Sequence, residues 1–129
     1  MNTTELGYAK YISLTTYRKT GEAVPTTVWT VPIDDKIYVS TGSQTGKVKR
    51  LRNNTEVAVA LCDMIGKNVG PAHKATARLV PVSEHPEIRD LMLHKYGFQQ
   101  RVAEVLDKVR NRSKKPVGDR VLIELTVED

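Results

Sequence analysis

Tyr11-Ile12-Ser13-Leu14-Thr15-Thr16-Tyr17, then Arg18-Lys19-Thr20-Gly21-Glu22, then Val24 to Val31 is the stretch that decides the fold. Its first seven residues are β-formers and the next five are a turn cluster. Val24, Thr26, Val28 and Thr30 then alternate with Thr27, Trp29 and Val31, the period of a second strand. Pro32-Ile33-Asp34-Asp35 closes a further hairpin onto a third strand, Lys36 to Thr41. Working outward, a short helix is expected from Gly46 to Asn53, with Val48 and Leu51 on its inner side. Glu56 to Cys62 sets Val57, Val59 and Leu61 against Ala58, Ala60 and Cys62 as a fourth strand, and Ala72 to Val82 reads as a fifth. Ser83-Glu84-His85-Pro86 starts a helical stretch in which Ile88, Leu91, Leu93, Tyr96, Val102, Val105, Leu106 and Val109 recur, and Gly97 divides it in two. Arg120 to Val127 is the sixth strand, with Val121, Ile123 and Leu125 inward. Hairpins without a βαβ rhythm predict a mainly β protein: a six-stranded antiparallel barrel with a few helices.

Composition bounds the rest. The 129 residues suit one domain, residues 1–129, with a real core. At 40% hydrophobic and 27% charged the chain has the make-up of a soluble globular protein. A net charge of +5 favours anionic partners. Cys62 is the lone cysteine, so no internal disulfide forms and a reducing cytoplasm is the expected location. No charged segment followed by an apolar core opens the chain, and no run approaches the roughly 20 apolar residues of a membrane span. One cysteine and three scattered histidines give no zinc spacing, so no metal is expected.

Chemistry concentrates in Ser40-Thr41-Gly42-Ser43-Gln44-Thr45-Gly46-Lys47-Val48-Lys49-Arg50-Leu51. A strand runs into hydroxyls and two glycines, and four cations follow between Lys47 and Arg52. Glycines admit a ligand close to the backbone, and hydroxyls and amides bond phosphate oxygens. With Thr45 as N-cap, the helix turns its positive end toward an anion. The Walker spacing is missing. The same residues also make a solvated basic helix after an ordinary turn. Lys47 is the first candidate for a phosphate contact, because charge-assisted bonds are the strong ones. Arg50, three residues on, shares its side of the helix, whereas Lys49 and Arg52 point away from Val48 and Leu51.

These strings, together with Thr27-Val28-Trp29, Leu61-Cys62-Asp63 through Gly70-Pro71, and Ala75-Thr76-Ala77-Arg78-Leu79, carry a resemblance. The chain resembles the pyridoxamine-phosphate-oxidase-like, FMN-binding split barrels, and within them the short deazaflavin-dependent oxidoreductases. Residues 8 to 82 match closely and the remainder in pattern. The resemblance implies a six-stranded split barrel that forms a homodimer, with coenzyme F-420 (a deazaflavin) or FMN lying between subunits. It sets Ser40, Thr41 and Lys47 at the coenzyme phosphate, with Lys49 and Arg50 as further contacts. It sets Val28 and Trp29 beside the ring system, and the Lys67-Asn68-Val69-Gly70-Pro71 loop where the second subunit closes the site. The implied activity is hydride transfer to a small unsaturated organic substrate. Arg110, Arg112, Lys114 and Lys115 read as a solvated loop, or alternatively as an attractor of an anionic coenzyme tail. One departure matters: Leu122 to Asp129 lacks the arginine and tryptophan with which the vitamin-B6 oxidases end, so that activity is not expected.

Catalytic residues are not legible. His73, His85 and His94 are not placed together with a nucleophile, Cys62 reads as a small buried residue, and Asp63 as a turn former. Trp29 suits core packing as well as a groove wall. Two rival readings stand beside the oxidoreductase. One is a cofactor carrier without turnover. The other is a nucleic-acid-binding barrel, resting on basic charge and tyrosines 8, 11, 17 and 38, which the clustering of cations at one helix and 5% aromatic content disfavour. Neither nucleic acid nor membrane is expected as a partner.

Overall fold

A computed structural model describes residues 3–67, 69–97 and 119–128. Among the described residues the chain forms one seven-stranded antiparallel sheet in the order β2-β1-β5-β6-β7-β4-β3. The strands are β1 (Ile12–Tyr17), β2 (Ala23–Val28), β3 (Val31–Ile33), β4 (Lys36–Gly42), β5 (Glu56–Leu61), β6 (His73–Pro81) and β7 (Arg120–Val127). Three α-helices accompany them: α1 (Thr3–Tyr8), α2 (Gly46–Asn53) and α3 (Ile88–Tyr96).

The seventh strand comes from a division the periodicity does not reveal. Val24 to Val31, expected as one strand, breaks at Trp29 and Thr30. The Thr30 N–H donates to the Tyr96 hydroxyl at 2.8 Å and its carbonyl accepts from Lys95 Nζ at 2.6 Å. Side chains of α3 thus take the polar groups that a ladder partner would otherwise satisfy. Before the break, β2 pairs with β1 (Ile12 opposite Val28); after it, β3 pairs with β4 (Val31 opposite Tyr38). Those are the two edges of the sheet. Laid flat, seven strands would set the edges about 29 Å apart at ~4.8 Å per strand. The chain from Val28 to Val31 reaches at most about 11 Å. The sheet therefore rolls into a barrel, as expected from the sequence.

Its interior follows strand alternation. Ile12, Leu14, Ile37, Val39, Val57, Val59, Ala75, Ala77, Ile123 and Leu125 fill the core. Leu6 of α1 and Leu51 of α2 join them. β1 and β4 run in the same sense, so Ile12 and Ile37 share one end, which α1 covers, and Thr16 and Thr41 share the other, under α2. A second cluster lies outside the barrel, where Ile88, Met92 and Tyr96 of α3 cover Val31, Tyr38, Val80 and Leu122. Leu91 and Leu93, read into the same helical repeat, face outward. α3 ends at Gly97, whose φ of 53° few other residues adopt. Val102, Val105, Leu106 and Val109, like the basic residues from Arg110 to Lys115, lie outside the described residues.

Candidate anion-binding site

β4 delivers the chain to the mouth of the barrel, and a three-residue turn starts α2. Ser43 N–H bonds Asp119 O at 2.7 Å, tying the turn to the lead-in of β7. Thr45 is the N-cap, as expected, with extended backbone (φ −75°, ψ 161°). Its hydroxyl does not cap the helix. It donates to Gly42 O at 3.0 Å and lies 3.4 Å from Thr41 Oγ1. The first-turn amides of α2 are therefore left uncovered by the cap side chain, at the end of the helix where partial positive charge gathers.

Cations converge on that end. Lys47 is half-buried, and burial, then Arg50 and Arg120, hold its ammonium below the ordinary lysine range. Burial, then Arg18, likewise lowers the Arg50 guanidinium. Arg50 Nε donates to Thr16 Oγ1, and Thr16 is fully buried at the barrel mouth. A Cβ on Gly46 would fall 2.8 Å from Arg50 Nη1, so the guanidinium lies against the first turn of the helix. Arg120 arrives from β7, directly opposite Gly42 in the ladder. Lys47 and Arg50, both partly buried, disfavour one another's charge, and a bound anion relieves this. The residues present thus fit a phosphate group.

The structure sorts the expected contacts. Thr41, Lys47 and Arg50 come together around α2. Strand alternation sends the Ser40 side chain to the face opposite Thr41. Lys49 is exposed. Arg52 folds back on the turn, with Nη2 at 3.4 Å from Ser43 O. Val28 is buried in the barrel core, and Trp29 stacks on Tyr96 with centroids 4.4 Å apart and planes at 10°. The Val28 side chain is thus taken up by the core, while Trp29 is partly buried against α3.

Thr16, Gly46 and Arg120 were not singled out from the sequence. Thr16 carried a signal, being polar in the inward row Ile12-Leu14-Thr16. Arg120 carried none, because its place depends on a pairing across 78 residues.

Asp63 forms a turn, its Oδ1 accepting from Ile65 N at 3.1 Å and Lys67 N at 2.8 Å. Burial, then Asp63, raises the Cys62 thiol while a bond with Thr27 opposes them, so this is no activated thiolate. His85 Nδ1 sits 2.9 Å from Glu87 Oε1, and His73 Nε2 is buried with no hydrogen-bond partner. Among the described residues no group of three His, Cys, Asp or Glu could hold a metal, and no helix is long and apolar enough to cross a membrane. Tyr38, part of the nucleic-acid reading, is buried and donates to Glu124 Oε2 at 2.8 Å.

Comparison with known proteins places this architecture. An F-420 reductase superposes on the whole chain and 95% of its own, with a TM-score of 0.63 at 15% identity. A conserved hypothetical protein of Mycobacterium tuberculosis, Rv2991, covers the whole chain and 82% of its own at 0.64 and 20% identity. The heme storage protein HutZ of Vibrio cholerae covers the whole chain and 92% of its own at 0.65 and 16% identity. At these identities the likeness is one of fold. No curated protein matches the chain. The family model described as pyridoxamine 5'-phosphate oxidase matches residues 3–129, nearly the entire sequence. With its antiparallel barrel and that match, the chain belongs to the pyridoxamine 5'-phosphate oxidase family.

Proposed function

We propose that the protein is an oxidoreductase that holds a flavin-type coenzyme, F-420 in preference to FMN, and passes hydride to a small unsaturated organic substrate. The placing of Lys47 and Arg50 at the first turn of α2, which the Thr45 side chain leaves uncapped, carries this reading, because it suits the coenzyme's phosphate. Thr41 and the first-turn amides of α2 add neutral donors. The backbone at Val28 and Trp29 would run beside the ring. Val28 pairs with Ile12, four residues along β1 from the Thr16 that holds Arg50, about 13 Å at ~3.3 Å per residue. That separation suits a coenzyme whose phosphate and ring are several bonds apart. When bound, such a coenzyme supplies the hydride chemistry, and the protein supplies placement and exclusion of water.

The preference for F-420 rests on the sequence resemblance to the deazaflavin branch. Phosphate contacts alone do not distinguish the coenzymes. Vitamin-B6 oxidation is not part of the proposal, given the ending from Leu122 to Asp129. We place the protein in the cytoplasm as a single-domain homodimer. Met64, Ile65 and Val69 are 62%, 68% and 54% exposed on one loop, an apolar surface suited to a second copy closing the site.

Fluorescence titration with FMN and with the deazaflavin coenzyme tests the reading. Saturable binding of one supports it, and binding of neither overturns it. A carrier without turnover is the second reading, supported by the likeness of fold to the heme storage protein HutZ. Steady-state turnover with reduced coenzyme and candidate acceptors separates the two.

A further inference from the structure

We propose that Thr16, inside the barrel, is a positioning residue for the anion site, holding Arg50 so that its guanidinium faces the ligand beside Lys47. The inference rests on the phosphate reading above and adds to it a determinant of phosphate selectivity that never touches the ligand. Three observations carry it. Thr16 is fully buried on a row of inward residues where Ile12 and Leu14 are apolar, and its hydroxyl accepts from Arg50 Nε. A buried hydroxyl there, in place of a methyl group, is explained by that bond. The bond uses one of the five N–H donors of the guanidinium and leaves the four on the Nη atoms for an anion. Third, Gly46 leaves room for the guanidinium, since a Cβ would approach Nη1 to 2.8 Å. Thr16 thus fixes the side chain from below and Gly46 clears its path along the helix. An arginine anchored at Nε forfeits less rotamer freedom on binding than one that is free in solvent.

The two supporting residues yield two variants that leave every charge in place. Thr16→Val deletes the hydroxyl at nearly constant shape. Gly46→Ala displaces the guanidinium while favouring the helix, so thermal stability should hold or rise as selectivity falls. The measurement is the affinity ratio within two ligand pairs: FMN against riboflavin, and F-420 against its phosphate-free deazaflavin core. The wild type should prefer the phosphorylated member of at least one pair. Thr16→Val should lower that preference about fivefold, the loss of roughly one hydrogen bond's worth of orientation. Thr16→Ser should restore it, and Thr16→Val should change nothing further in an Arg50→Ala background. If Thr16→Val does not fold, Gly46→Ala decides. A wild type with no preference in either pair overturns the anion site and this proposal together. A preference that falls with Arg50→Ala but survives Thr16→Val and Gly46→Ala overturns the positioning role and leaves the site standing. So does a Thr16→Val effect that persists without Arg50.

Discussion

Lys47 stands out as a phosphate candidate in the sequence because its signal is local: a cation just inside a helix that follows glycines and hydroxyls. We expect Lys47→Ala to weaken binding of the coenzyme about tenfold, read by fluorescence titration, through loss of one charge-assisted bond. Unchanged affinity would move the phosphate elsewhere. Thr16 and Arg120 were not legible, since their nearness to Lys47 depends on strand pairing and on the docking of α2. Lys95 was silent for the same reason. Its ammonium donates to the carbonyls of Gly7 and Ala9, each at 2.8 Å, and of Thr30 at 2.6 Å. Those carbonyls favour the charged form, but burial outweighs them and brings its pKa from 10.5 to about 8. Between these values the unfolded chain holds a proton that the folded protein has released, so raising pH stabilises the fold across that window. Near 10.0 the trend is opposed, because Tyr38 and Tyr96 have raised pKa values and keep their protons only in the folded state. Denaturant midpoints should rise from pH 8 upward, and Lys95→Met should flatten the rise; an equal slope in the variant would assign it to other groups.

Elements were read with uneven success, for physical reasons. α2 was expected from Gly46 to Asn53 and is found there, because Thr45, Val48 and Leu51 report its start and its buried side within one short segment. In α3 the buried face is Ile88-Met92-Tyr96, a strict four-residue repeat, and the neighbouring leucines blurred it. The break in Val24 to Val31 was invisible because Thr30 continues the alternation in composition. Its backbone is diverted by Tyr96, 66 residues away. Nor did the sequence announce α1, whose Leu6 nonetheless enters the core. We expect Tyr96→Phe to destabilise the protein by about 1–3 kcal/mol, since it strands the buried Thr30 N–H. Chemical denaturation measures this, and a loss below a few tenths of a kcal/mol would show that the hydroxyl is dispensable.

The molecule as a whole follows from hairpin count and strand alternation, which suffice for an antiparallel barrel but not for the order of its strands. At this scale the dimer is the open expectation. Light scattering should give twice the mass of one chain, and a monomer that still binds coenzyme would overturn a site shared between subunits. The sheet order has a further bearing, on biosynthesis. β7 sits between β6 and β4 and is the sole ladder contact of either with the other's half. Until residues 120–127 leave the ribosome, the growing polypeptide holds two fragments, β2-β1-β5-β6 and β4-β3, each with a raw edge. The candidate anion site straddles them, with Thr16 on one and Lys47 following the other. Residues 120–127 must therefore pair with both β6 and β4 before the two halves are joined and the candidate site is assembled.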